Sequence, residues 1–327
     1  MTSLKEELDR VEVGDPLHHR NLTLFPLLGP TATDMDYLLL EDAIQQGLAK
    51  VTELHGGGSV PELRFENAGE RPVLVLDGEE LVGAKQNRVL NLTILAPAKQ
   101  TLLIPVSCVE AGRWHMTTSA FRTGTDFMYF GARANRAAHV TESMRTKGTR
   151  RSDQAALWDD IAQKAARVDA QSPTQAMSAM YERNALLVED YTRTFGWQDR
   201  QTGIAFAIGG QIRGLDLLDH TSTMRRTFAK FVRSYALDAM DAPREQTEAA
   251  SRPQLTEFLT EVAGATTFAQ EAVGLGKDLR LISSKVSGAA LWASDRFVHV
   301  CAFAAGEQNA NVGLQTRMSR PSHRGGF

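Results

Sequence analysis

Between Glu79 and Trp114 the chain carries more charges and donors than a packed sheet requires. Glu79, Glu80, Lys85, Gln86, Asn87 and Arg88 fall between two β-rich runs, Pro72–Leu76 and Val89–Leu95, and Asn91 lies just inside the second. Ser107, Cys108, Glu110, Arg113 and Trp114 lie at or just past the end of a third run, Thr101–Val109. Turns normally use Gly, Asn, Asp and Ser, each for its own backbone reason, and Lys-Gln-Asn-Arg is not such a set. Strand ends are where a rigid sheet presents functional groups. A carboxylate perturbed by neighbours can handle a proton or hold a metal, which makes Glu80, and after it Glu79 and Glu110, the candidate acid–base residues. Lys85, Gln86, Asn87, Arg88, Asn91 and Arg113 offer donors suited to phosphate, carboxylate or amide-rich ligands. An indole beside a guanidinium, as Trp114 follows Arg113, can sandwich a planar ring such as a nucleobase. The plain alternative is a solvated turn with surface ion pairs of little energetic worth, with Trp114 packing over one of them.

Other features read more simply. Cys108 ends the apolar run LLIPVS and precedes Arg113, the order of a cysteine–arginine anion loop. That chemistry needs helix N-terminal amides to lower the thiol pKa, and WHMTTSAF starts no convincing helix. A buried, inert thiol is the better reading, with a cysteine-dependent phosphatase or sulfurtransferase as the weaker alternative. The basic run Arg133–Arg151 reads as a solvated linker, or as an anion-collecting loop over the sheet. The HGGGS turn at His55–Ser59 lacks the helix and the Lys-Ser/Thr of a phosphate loop. His299 alternates within a terminal strand, where a satisfied sheet histidine is expected. No CxxC or HExxH spacing assigns a metal, no nucleophile elbow, kinase set or Rossmann fingerprint occurs, and the sequence names no cofactor.

The elements that must position these groups change character along the 327 residues. Residues 1–20 are charged and are expected to be loosely ordered. Short strands with turn signals every eight to twelve residues predict a β-rich, sandwich-like unit over 21–132, carrying the site. A basic loop and an α-hairpin follow over 133–200: Leu157, Ile161 and Ala165 recur on one face, and a second helix runs from about Thr174 to Phe195 behind Ser172-Pro173. Its stripe of Met177, Met180, Tyr181, Asn184 and Leu187 reads as core packing. Residues 201–304 form an α+β portion with a hairpin over 203–218 and a helix near Ser222–Met240, where Phe228, Phe231, Val232 and Tyr235 share a face. Residues 305–327 read as a disordered tail. The fold class is therefore α+β. With 43% apolar and 23% charged residues and a net charge of −3, the chain is expected to be cytoplasmic, without general nucleic-acid binding and without a membrane partner. Two cysteines make no disulfide framework.

The runs GEELVGAKQNRVLN (Gly78–Asn91) and IPVSCVEAGRW (Ile104–Trp114) resemble a bacterial family, the ADP-ribosylglycohydrolase and rhodanese-phosphatase-superfamily-associated protein domain. The resemblance extends from about Leu22 to Phe303 and includes ALWDDI, SPTQAM and AIGGQIRGLDLLD at 156–161, 172–177 and 207–219. It implies a link, by gene association, to ADP-ribose and NAD metabolism, and it carries over no catalytic position. The leading expectation is a small nucleotide-like ligand derived from ADP-ribose or NAD, bound and, if the protein is an enzyme, hydrolysed or transferred. Whether it is an enzyme stays open, and a non-enzymatic module that docks a partner protein is the alternative.

Overall fold

The computed structural model describes residues 3–29, 35–54, 61–243 and 247–305. Its architecture follows from strands such as Gln201–Ile208, which has no charged residue and is buried at every position. A strand apolar on both faces needs neighbours on both edges and cover on both sides. It therefore lies inside a nine-stranded antiparallel sheet. The main order is Glu12–Val13, Leu22–Leu28, Gln201–Ile208, Gln211–Leu218, Arg296–Ala304, Val286–Ala293, Lys277–Ile282 and Thr266–Glu271. Leu17–His19 also pairs with Leu22–Leu28.

A six-stranded antiparallel sheet carries the polar stretch, in the order Phe121–Phe127, Glu79–Gly83, Arg88–Leu90, Gln100–Cys108, Glu62–Asn67 and Ala49–Thr52. Its two edge strands approach each other, so it curls into a half-barrel around Val51, Phe65, Leu81, Ile104 and Phe121. A small sheet of Ile94–Ala96, Val73–Val75 and Leu38–Leu39 joins it to the rest. With helices on several sides, the chain is mixed α+β. No helix among the described residues is long and apolar enough to cross a membrane.

Helix Thr221–Asp241 forms as its periodicity predicts, with Phe228, Phe231, Val232 and Tyr235 all buried. The face of Leu157, Ile161 and Ala165 forms the helix Gln154–Arg167, capped by Asp153, whose carboxylate accepts the Ala156 N–H at 3.0 Å. The second helix is broken into Ser178–Arg183 and Ala185–Thr194. Asn184 at the break donates its side-chain amide to Met180 O and Val168 O, an alternative to the helix ladder.

Two expectations are corrected. The basic run from Arg133 is no loop: Phe130–Lys147 is a helix, closed by Gly148 in the left-handed conformation at φ 66°. Its Arg133 and Arg136 are buried, not solvated, because they meet Asp216 on the nine-stranded sheet and Asp77 in the turn before Glu79–Gly83. Arg133 donates to Asp77 at 3.2 Å and to both oxygens of Asp216 at 3.1 and 2.7 Å. Arg136 donates to Asp77 and to Leu90 O. Asp216 further accepts from Tyr235 at 2.6 Å and faces His299 Nε2 at 3.2 Å, while Thr93 holds the other nitrogen of His299 at 2.7 Å. Burial alone would raise the Asp216 carboxyl, but Arg133 beside it and the His299 hydrogen bond hold it well below the usual carboxylate range. Nor are residues 3–19 loose. Helix Leu4–Leu8 buries both leucines behind a Ser3–Glu6 capping box, and the two short strands that follow pair with Leu22–Leu28. The His55–Ser59 turn and the tail from residue 306 lie outside the described residues.

Candidate functional site

The hairpin Glu79–Gly83/Arg88–Leu90 pairs Glu80 with Val89 and Leu81 with Arg88. Residues directly opposite across a ladder share a face and sequence neighbours take opposite faces. Glu80 and Arg88 therefore look out on different sides of the same wall. Adjacent Glu79 also turns away from Glu80; it accepts the Leu76 N–H at 3.4 Å and lies 3.7 Å from Lys230 Nζ. The stretch that reads as one polar cluster is two-sided.

On the Glu80 side the wall opens into a cavity of about 290 Å³. Glu80, Asn87, Arg122, Asp126, Glu182 and Arg233 line it. Arg122 and Asp126 come from Phe121–Phe127, whose register shifts between Thr123 and Phe127, an irregularity of the kind that re-aims side chains beside sites. Glu182 comes from helix Ser178–Arg183 and Arg233 from Thr221–Asp241. Gly124 makes room: a Cβ there would stand 2.8 Å from Glu80 Oε2. Burial first, then the Asp126 charge, pushes the Glu80 carboxyl up to about 8 against the partial relief of the Asn87 hydrogen bond. Asp126 is instead ion-paired, accepting from Arg233 Nε at 2.6 Å and from Thr125 at 2.8 Å. A neutral carboxyl beside an ion-paired one is the division of labour that acid–base catalysis uses.

Asn87 ties the cavity to a buried knot behind it. Its Oδ1 accepts from Gly83 N at 3.2 Å and Arg113 Nη2 at 3.1 Å, so its Nδ2 must face Glu80, which it reaches at 3.4 Å. Arg113 also donates to Glu110 at 2.8 Å and to Ala84 O at 2.8 Å, and Gln86 donates to Glu110 O at 2.9 Å. Burial would raise the Glu110 carboxyl; hydrogen bonds from Arg113 and the Asn87 backbone outweigh it and leave the group below its ordinary value. Glu110, Arg113 and Gln86 thus fix Asn87, and none of them lines the Glu80 cavity. Asn91 stands elsewhere, accepting from Ser107 at 2.7 Å and donating to Arg150 O at 3.1 Å.

On the other side, Arg88 is fully buried near Glu53, with Lys85 and half-exposed Trp114 outside it. Lys85 Nζ and Arg88 Cζ lie 5.2 and 5.9 Å from the indole centroid, within cation–π range. Cys108 is buried, and burial pushes its thiol up to about 11 although Arg88 pulls the other way. A thiol so placed is no nucleophile at neutral pH. Cys108→Ser is expected to leave ligand binding and any turnover within about twofold of the parent, and loss of turnover in that variant would revive the cysteine-dependent reading.

Glu53, Arg122, Asp126, Glu182 and Arg233 are absent from the sequence-derived set. Arg122 and Asp126 sit in RTGTDF, a strand whose charge alternates with small residues, and that pattern is the one signal that could have found them.

Comparison with curated proteins finds no match, and comparison with solved structures finds none. A family model described as the ARG and Rhodanese-Phosphatase-superfamily-associated Protein domain matches residues 10–303. That span takes in both large sheets, the polar hairpin and every residue that lines the Glu80 cavity. The chain belongs to this family, whose members are associated with ADP-ribosylglycohydrolase and rhodanese-phosphatase superfamily proteins.

Proposed function

We propose that the protein binds a nucleotide derived from ADP-ribose or NAD in the Glu80 cavity and cleaves or transfers it at a glycosidic or phosphoester bond. The observation that carries this reading is a buried carboxyl, pushed up to about 8 by burial, facing a cavity beside the ion-paired Asp126. In this reading Glu80 gives its proton to the leaving oxygen or nitrogen as the bond breaks, water or an acceptor hydroxyl adds to the carbon or phosphorus set free, and Asp126 takes the proton that the attacking oxygen loses. Arg122 and Arg233 are the cations for phosphate, and Asn87 keeps Glu80 in place. Of the other candidate acids and ligand-holding residues, Glu110, Gln86 and Arg113 act through Asn87, while Lys85, Arg88 and Trp114 belong to the opposite face. The family's association with ADP-ribosylglycohydrolases supports the ligand class. A concave pocket with convergent polar groups favours a small ligand over a docking face for a protein.

A thermal-shift screen with NAD, nicotinamide mononucleotide and ADP-ribose tests it. A ligand at about 100 times its dissociation constant stabilises the fold by about 2.7 kcal/mol, a visible shift. The expected result is a shift with one of these compounds that Arg122→Ala removes; Arg122 is exposed, so its loss leaves the fold intact. No shift with any of them moves the assignment to the protein-docking alternative.

A further inference from the structure

We propose a second binding site, on the opposite face of the hairpin from Glu80, in which Glu53, Arg88 and Trp114 take a planar ring bearing a carboxamide or cyclic lactam edge. Three buried atoms point to it. Arg88 Nη1 donates to Gln86 Oε1 at 2.9 Å, but Nε and Nη2 find no acceptor among the described residues. Those two N–H groups form the side edge of the guanidinium, whose parallel bonds fit a planar, oxygen-bearing group. Buried Glu53 has an Oε2 that likewise finds no donor among the described residues. Its Oε1 takes the Lys85 backbone N–H at 3.4 Å and stays 3.7 Å from Arg88 Nη2, too far for a direct hydrogen bond. Charged donors and acceptors left unmade inside a protein are unfavourable, and in native structures they ask for an explanation.

The pair decides what fits between them. Phosphate or carboxylate would satisfy the guanidinium and be repelled by the Glu53 carboxylate. A carbonyl oxygen next to an N–H satisfies both, the oxygen accepting from Arg88 Nε and Nη2 and the N–H donating to Glu53 Oε2. Trp114 adds a flat wall, 51% exposed, with its centroid 5.9 Å from the Arg88 guanidinium. The guanidinium edge is closed to solvent, so the proposed site requires the ligand to displace the half-exposed indole and stack on it. Arg88 shares its face with Leu81 and Glu80 shares the other with Val89, so this site stands whether or not Glu80 does chemistry.

The test is titration of the full chain with nicotinamide, inosine, nicotinate and N,N-diethylnicotinamide, followed by tryptophan fluorescence, with Trp114→Phe as the variant that loses the signal. Binding of nicotinamide identifies the carboxamide edge and binding of inosine the lactam edge. Nicotinate, which exchanges the N–H for a second anionic oxygen, and the diethyl compound, which lacks the N–H, are expected to bind at least about tenfold more weakly. Arg88 is a core residue whose removal threatens the fold, so Glu53→Gln is the deciding variant. It offers an amide N–H where the parent offers an oxygen and is expected to turn the preference toward nicotinate. Glu80→Gln keeps the parent selectivity, which separates this site from the cavity. Equal affinity for nicotinamide and nicotinate, a preference unmoved by Glu53→Gln, or no binding of the four compounds overturns the proposal.

Discussion

Glu80→Gln is expected to lower turnover of the cavity's ligand by about 10²- to 10⁴-fold, the usual contribution of a positioned general acid. Ligand affinity should change far less, because the amide keeps the size and donor capacity of the neutral carboxyl. The same variant has a signature that needs no substrate. A free glutamate loses its proton near 4.5, whereas Glu80 keeps it to about 8. Between those values the folded chain holds a proton that the unfolded chain has released. The stability contributed by neutral Glu80 is therefore complete below about pH 4.5 and is lost as pH rises to 8. At ~1.4 kcal/mol per unit, that loss is on the order of 5 kcal/mol. Urea midpoints of parent and Glu80→Gln at pH 5, 7 and 9 should cross, with the variant the more stable at pH 9. Parallel curves would mean that the carboxyl is ordinary, and the acid assignment would go with it.

Asp216→Asn is expected to be the most damaging near-isosteric change in the core, costing about 3–5 kcal/mol. Asp216 accepts from Arg133 and Tyr235, and Asp77 must already serve Arg133 and Arg136 together. Removing one negative charge leaves two fully buried guanidinium groups with a single carboxylate. Replacing both partners, as in Arg133→Met with Asp216→Leu, is expected to be less costly than either single change, since no charge is then left unpaired. Denaturant midpoints for the two singles and the double decide it. If the double is the weakest of the three, the damage lies in packing and not in charge.

Those arginines also explain why the fold was only partly legible. Helix Thr221–Asp241 announces itself because Phe228, Phe231, Val232 and Tyr235 repeat on one apolar face. Helix Phe130–Lys147 hides because its inner face carries Arg133 and Arg136, whose carboxylates lie far away in sequence, Asp216 being 83 residues from Arg133. No local window contains the reason those charges are inside. The polar hairpin stood out for the opposite reason, since its side chains exceed what turns need. Its two-sidedness is written in the alternation of Glu79 and Glu80, which take opposite faces in any strand, beneath the density of charge. Asp126, Glu182 and Arg233 reach Glu80 only through tertiary structure, and no spacing could have joined them.

The order of strands in the large sheet bears on how the protein can be made. Gln211–Leu218 is bonded by Gln201–Ile208 on one edge and by Arg296–Ala304, the last strand described, on the other. Leu22–Leu28, near the start, waits for Gln201–Ile208. The half-barrel strands between Ala49 and Phe127 find their partners close by and can close while translation continues. The large sheet cannot. A nascent chain carries an apolar strand with an unpaired edge until Arg296–Ala304 leaves the ribosome, the interval in which a chaperone would find it.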